Sequence, residues 1–495
     1  MRRPASDARP RQTSSTCRWL RYHARVQPTA CAAVHNETQI TYRNLATHVL
    51  AVMDDLTGHG ITAGQIIGVE TGDRYLHLLI VLAAEALGVT TMSLAPSELG
   101  PPASLGRLCD RIIVSQPWPD AGPQQIVVMS PEWLADVVNR PETDPAFHGL
   151  QHMADPGAIV RLIKSSGTTG VPKVMGITQR VQQAVIRKAL LHAPSWALSR
   201  PVYLCLYNFG VRASHSRAML TLQLGGTIHF TGANAIGELL AAGIGTYALF
   251  VAGDLERFVR TLPHGSGPFR LCLDVIGAAV PPRVRQAVRA RVTEHIMVTY
   301  SSNEVNRVSL VDDDNVGTLF PGVSVRIVDE RGRPVPLGRT GLIRIRSDTM
   351  TSGYVDAPDL AREAFVDGWF HTSDIGFQPA KGKLVVLGRD DDMLNIGGVK
   401  IAPGPIEQSL KAVSGVRDAL VTSLEDHLET RTMLIAVEAE PQADATELAE
   451  RITPIIHGQV SYYQLVVMPE FPRTETGKIQ REAVKQLYRR KAQSL

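Results

Sequence analysis

Residues 165–173 read SSGTTGVPK: two serines, two threonines, two glycines, then Val, Pro and Lys173. Such small residues bury little apolar surface, so their use lies in what their backbone N–H groups and hydroxyls can reach. Glycine lets main-chain amides come close to an oxyanion, hydroxyls add uncharged donors, and Lys173 adds a point charge. The matching chemistry is a cradle for a polyanion such as phosphate. The stretch is not the GxxxxGK[ST] loop, because its glycines are three apart and no Ser or Thr follows Lys173. A flexible surface loop is the other reading, and that reading has no need of Pro172 or of the apolar strand AIVRLI (158–163) leading in.

Three further stretches offer chemistry. In YSSNEV (300–305) the ring of Tyr300 can stack on a purine and Glu304 can hold a magnesium ion, although alone the segment also reads as a strand end with a solvated acid. DGWFHTSDIG (367–376) and VVLGRDDDMLNIGGVKIAPGPIE (385–407) present Asp374 and Arg389, an acceptor and a donor suited to ribose hydroxyls, or else a surface ion pair. FPRTETGKIQR (471–481) carries Lys478 beside Gly477, by itself one more exposed cation.

Taken together and in order, SSGTTGVPK, YSSNEV, GYVDAP with DGWFHTSD, GRDDDMLNIGGVKIAPGPIE and PRTETGKIQR resemble the adenylate-forming (ANL) superfamily of acyl-CoA synthetases, peptide-synthetase adenylation domains and luciferases. The similarity runs from about residue 27 to about 490. It implies that Ser165, Ser166, Gly167, Thr168, Thr169, Gly170 and Lys173 surround the β- and γ-phosphates of ATP. Glu304 then corresponds to the magnesium carboxylate and Tyr300 to the adenine-stacking ring, with Ser301 and Asn303 beside the nucleotide. Gly277, Ala278 and Ala279 line adenine and acyl group with backbone, and Asp374 with Arg389 is the ribose pair. Lys478 matches the lysine that reaches carboxylate and α-phosphate, where a cation counters the charge of two anions brought together. Asp391 resembles the hinge about which the small domain rotates, and Gly398 and Lys400 resemble residues along the path of a pantetheine thiol. The implied cofactors are ATP, Mg²⁺ and coenzyme A, or the phosphopantetheine of a separate carrier protein.

The departures bear on substrate. Relatives usually show YGxTE, whereas Ser301 and Asn303 stand here, which suggests a small or polar acid. The segment LYNFGVRASHSR (206–217) lacks both the common histidine and the aspartate that pairs with an α-amine, which disfavours an ordinary amino acid. Phe209, Gly210, Arg212, Ser301 and Ser302 are the expected substrate pocket. An inward Arg212 would ask for a second anionic group on the substrate. The alternative leaves Arg212, His215 and Arg217 solvated on the helix that follows.

These residues must be held by elements. Between 200 and 302 strand-like runs (VYLCLYN, GTIHFT, YALFVA, RLCLDVIG, IMVTYSS) alternate with helical ones near 216–224, 235–242, 254–262 and 281–292, which predicts a parallel sheet covered by helices. Pro282 suits a helical first turn, and Asp254 stands where an N-cap belongs. Gly277 and Tyr300 to Ser302 then open onto the carboxyl edge, where such sheets bind ligands. Short strands and turns at 323–387 predict a distorted, barrel-like part. The expected fold is α/β: a flexible tail at 1–26, a large domain at 27–389, and a small mobile α+β lid at 390–495.

Composition narrows the function classes. In 495 residues the net charge is +3 with no long block of like charge, against nucleic-acid binding. The longest apolar run, 76–89, contains Glu85 and falls short of the ~18–20 residues of a membrane span, so a buried helix is expected. Five cysteines without CxxC spacing read as reduced thiols in a cytoplasmic protein. The arginine-rich N-terminus has no apolar stretch behind it, against a secretory signal. The expectation is an ATP-dependent acid–thiol ligase acting on a small-molecule acid, with a nucleotide hydrolase and a non-catalytic binding module as the alternatives.

Overall fold

The computed structural model describes residues 15–99, 105–118, 126–142, 144–151, 155–164, 173–189, 191–263, 265–390, 394–396, 399–401, 403–425, 431–457, 463–473 and 479–493. The alternation expected between 200 and 302 is present. Strands Val202–Cys205, Thr227–Phe230, Tyr247–Val251, Cys272–Ile276 and His295–Ser302 form a parallel ladder, with helices Arg212–Gln223, Ile236–Ala241, Ala252–Thr261 and Pro282–Arg291 in the crossovers. Beyond Ser302 the same sheet turns antiparallel through Asn306–Val311, Gly317–Leu319, Lys383–Arg389, Trp369–Phe377, Gly341–Ser347 and Val323–Val328, the part expected to be barrel-like.

A second sheet of six strands ends in the antiparallel hairpin Ile159–Lys164 and Val174–Thr178. Helix Arg74–Leu87 shares one apolar core with strands of both sheets and is buried from Tyr75 to Ala86. A helix buried on every face has no side to give to water, and each buried Leu or Ile in it contributes about 2 kcal/mol. Asp73 caps it by accepting from the amides of Tyr75 and Leu76, and Gly88 ends it at φ 72°.

From residue 394 onward the chain has apolar cores of its own, built on the sheet Val416–Glu425, Arg431–Ala439 and Tyr463–Met468. Polar contacts join it to the rest: Arg283 pairs with Glu440 at 3.0 Å and donates to the Arg417 carbonyl, and Asn315 donates to Gln408 at 3.3 Å.

Three local expectations need correction. Residues 16–26 are not tail but helix Thr16–Val26, capped by Ser15 and buried through Cys17, Leu20, His23 and Ala24. The helix expected from Asp254 starts at Ala252, and Asp254 in its first turn instead accepts from the Tyr207 hydroxyl at 2.8 Å. The helix expected near 216 begins at Arg212, which changes the surroundings of every polar residue on it.

Candidate active site

The hairpin holding the glycine-rich loop brings Lys164 opposite Val174, with Lys173 at the loop's far end. Ser165, Ser166, Gly167, Thr168, Thr169 and Gly170 lie outside the described residues. The base of the loop is tied to YSSNEV: Asn303 Nδ2 donates to the Lys164 carbonyl at 2.8 Å. On the other side the Lys173 ammonium lies 5.0 Å from the ring centre of Tyr354, whose hydroxyl donates to Glu304 Oε1 at 3.2 Å. Burial, and then the Glu304 charge, push the Tyr354 phenol up, so it remains a donor. Thus Asn303 and Glu304 come to the two ends of the loop, Lys164 and Lys173, although about 130 residues separate them in sequence.

Strand His295–Ser302 carries a bulge between Tyr300 and Ser301, a device that re-aims side chains at a sheet edge. The Tyr300 hydroxyl donates to Asp374 Oδ2, and Arg389 stands directly across the antiparallel ladder from Asp374 with Nε 3.7 Å from Oδ1. Burial and then the Asp374 charge hold the Tyr300 phenol well above its ordinary range. At the neighbouring strand end Gly277 has φ 96°, a left-handed conformation that favours glycine, and Gly277, Ala278 and Ala279 are exposed at the sheet's carboxyl edge. Ser301 and Ser302 are half-buried beside them, and Gly210 is exposed while Phe209 is buried against His77 and His215.

The solvated reading of Arg212, His215 and Arg217 is overturned, since all three are buried. Arg212 donates to the carbonyls of Asn303 and, at 3.4 Å, Thr349. Arg217 belongs to the core: with Arg307 and the Tyr247 hydroxyl it surrounds Asp274, whose carboxylate stays below its ordinary value because the attraction of the two guanidiniums and direct hydrogen bonds outweigh desolvation. Sequence reasoning missed Tyr354, Asp274 and Arg161. The available signal for the last two was a charge inside an otherwise apolar strand.

Lys478, Asp391 and Gly398 lie outside the described residues, and Lys400 falls in strand Val399–Ile401 opposite Asn395. Among the described residues no group of three or more His, Cys, Asp or Glu side chains could hold a metal. Glu304 alone fits Mg²⁺, which is commonly held by one or two carboxylates together with substrate phosphates.

The chain is similar to known proteins over most of its length. A 2-succinylbenzoate–CoA ligase of Listeria monocytogenes is 24% identical over 94% of this chain and 98% of its own. A sulfoacetate–CoA ligase of Cupriavidus necator is 27% identical over 89% of this chain and 91% of its own. The ATP-bound structure of MatB from Rhodopseudomonas palustris superposes with a TM-score of 0.78, covering 95% of this chain and 99% of its own at 18% identity, a likeness of fold. Residues 20–355 match the model of the AMP-binding enzymes, a span that takes in the hairpin, the parallel strands and the Tyr300 to Glu304 turn. The chain belongs to the AMP-binding enzyme family.

Proposed function

We propose that the chain is an ATP-dependent acid:thiol ligase. A carboxylate oxygen attacks the α-phosphorus of ATP, the bond to the β-phosphate breaks, and pyrophosphate leaves with the bonding electrons. The sulfur of coenzyme A then attacks the acyl carbonyl and AMP departs. Both relatives compared above are named as CoA ligases, which supports coenzyme A as acceptor. A pantetheine on a separate carrier protein offers the same thiol chemistry and is the second acceptor to test.

The observation that carries the reading is the Asn303 bond to the Lys164 carbonyl, because it joins the aromatic and acidic turn to the root of the glycine-rich loop. In this reading the loop residues 165–170 and Lys173 bind the terminal phosphates, and the backbone at Gly277 to Ala279 takes adenine with Tyr300. Asp374 and Arg389 receive the ribose, and Ser301, Ser302, Phe209 and Gly210 border the acid. Glu304 would hold Mg²⁺, which when bound neutralises charge on phosphate oxygens. Two anions must meet for the first step, and Lys478, carried by a lid at 390–495 turning near Asp391, places an ammonium between them. Gly398 and Lys400 then border the thiol's path.

The test is to supply ATP, Mg²⁺, coenzyme A and a panel of small polar acids and to follow products by mass spectrometry. AMP, pyrophosphate and an acyl-CoA are expected. ADP and orthophosphate independent of acid would overturn the proposal.

A further inference from the structure

Arg161 stands four residues before Ser165 on the strand that leads into the loop, and it is 3% exposed. Of its three guanidinium nitrogens only Nη2 has partners, the Phe209 carbonyl and Ser93 Oγ at 3.3 Å, while Nε and Nη1 are buried without one. A neighbouring buried guanidinium, Arg212, donates from Nη1 and Nη2 to backbone carbonyls. No Asp or Glu forms an ion pair with either arginine among the described residues. The adjoining loop 165–172 contains no acidic residue in its sequence.

The Glu304 carboxylate acts on Arg212, whereas the charge acting on Arg161 is that of Arg212 and is positive. His77 bonds Ser93 at 3.0 Å, and burial followed by the Arg161 charge pushes it down to about 3. His215 is held well below its ordinary value by burial, Arg161, His77 and Arg212, and its Nε2 is another buried atom without a partner. Burial and then the Arg212 charge push Arg161 down to about 9. A buried ion without a partner is costly, and a guanidinium with unused N–H groups matches an oxyanion.

We propose that this cluster, centred on Arg161 beneath Phe209 and Gly210, binds a second acidic group at the far end of the acid substrate. The enzyme would then activate acids with two negative charges, one carboxylate reacting and the other held by the cluster. Arg161, not the Arg212 expected from sequence, supplies the free donors. The proposal rests on the adenylate-forming reading of the crevice.

The experiment is acid-dependent exchange of labelled pyrophosphate into ATP, with matched mono- and dicarboxylates of equal chain length: propionate and malonate, butyrate and succinate, valerate and glutarate. For at least one pair the diacid should exceed the monoacid by tenfold or more in kcat/KM. Arg161→Met should narrow that ratio by tenfold or more, mainly through KM, and Arg161→Lys should restore part of it. Should Arg161→Met fail to fold, the wild-type ratios and the folded Arg161→Lys variant decide. Monoacids equal to or better than every diacid would overturn the proposal while leaving the ligase reading intact. Exchange with none of the six acids would overturn the proposal alone, and label entering ATP with no acid added would overturn both.

Discussion

The hydroxyl of Tyr300 donates to Oδ2 of Asp374, joining the last parallel strand of the large sheet to the antiparallel strand Trp369–Phe377. In the proposed site this bond holds the ribose-binding carboxylate of Asp374 next to Arg389, so one hydroxyl couples the adenine and ribose ends of the nucleotide pocket.

Tyr300→Phe removes that donor and leaves Asp374 with Arg389 at 3.7 Å. Hydrogen bonds to charged groups contribute about 1.5–3 kcal/mol, so AMP affinity measured by calorimetry should fall about tenfold in Asp374→Ala, and less in Tyr300→Phe. Adding Tyr300→Phe to Asp374→Ala should cost little more. Equal cost in both backgrounds would refute the coupling.

Asp274 is fully buried between Arg217 and Arg307. Removing it strands two guanidiniums, and Asp274→Ala should lower unfolding free energy by about 3–5 kcal/mol. Arg289, paired with Asp313 at the surface, is the control, and Arg289→Ala should cost less than about 1 kcal/mol. Urea denaturation of the two variants gives the comparison, and similar losses would contradict the burial argument.

Stability should also depend on pH through buried histidines. Burial pushes His48 down to about 4 and His77 to about 3, both from 6.5. As pH falls below about 6.5 the unfolded chain takes protons that the folded chain refuses, so stability present above that value is lost toward pH 4. The limiting slope is about 1.4 kcal/mol per pH unit for each histidine. Glu85, raised by burial, works in the opposite direction and is lost as pH rises through its folded value. Urea midpoints at pH 7.5 and 5.5 should show a smaller difference in His48→Gln than in wild type, and an unchanged difference would contradict the assignment.

What the sequence made legible follows from range. The alternation between 202 and 302, the buried helix after Asp73 and the glycine-rich loop are local patterns of period, capping and composition. Helix Thr16–Val26 also had a local signal, Cys17, Leu20 and Ala24 at helical spacing, which the surrounding arginines masked. The pairing of Asp274 with Arg307 and of Arg161 with Phe209 had no such signal, because strand order and crossovers create those contacts. The start of helix Arg212–Gln223 shows how a shift of four residues decides whether an arginine faces water or the core.

Lys478 should matter for one half-reaction only. Lys478→Ala should reduce adenylate formation by about 100-fold or more, in line with the loss of one preorganised electrostatic partner. Thioester formation from supplied acyl-AMP and coenzyme A should be largely spared. Rapid-quench assays of each half-reaction separate the two, and equal losses would contradict a lysine that serves only the first step.

The central claim, a carboxylate joined to AMP by the proposed ligase, is tested most directly by isotope exchange between pyrophosphate and ATP in the wild-type protein. Label should enter ATP only when a suitable acid is present, without coenzyme A, and Asn303→Ala should slow it by loosening the loop from Lys164. Label entering ATP regardless of acid, or ATP consumed to orthophosphate with no exchange under any acid, would contradict the account.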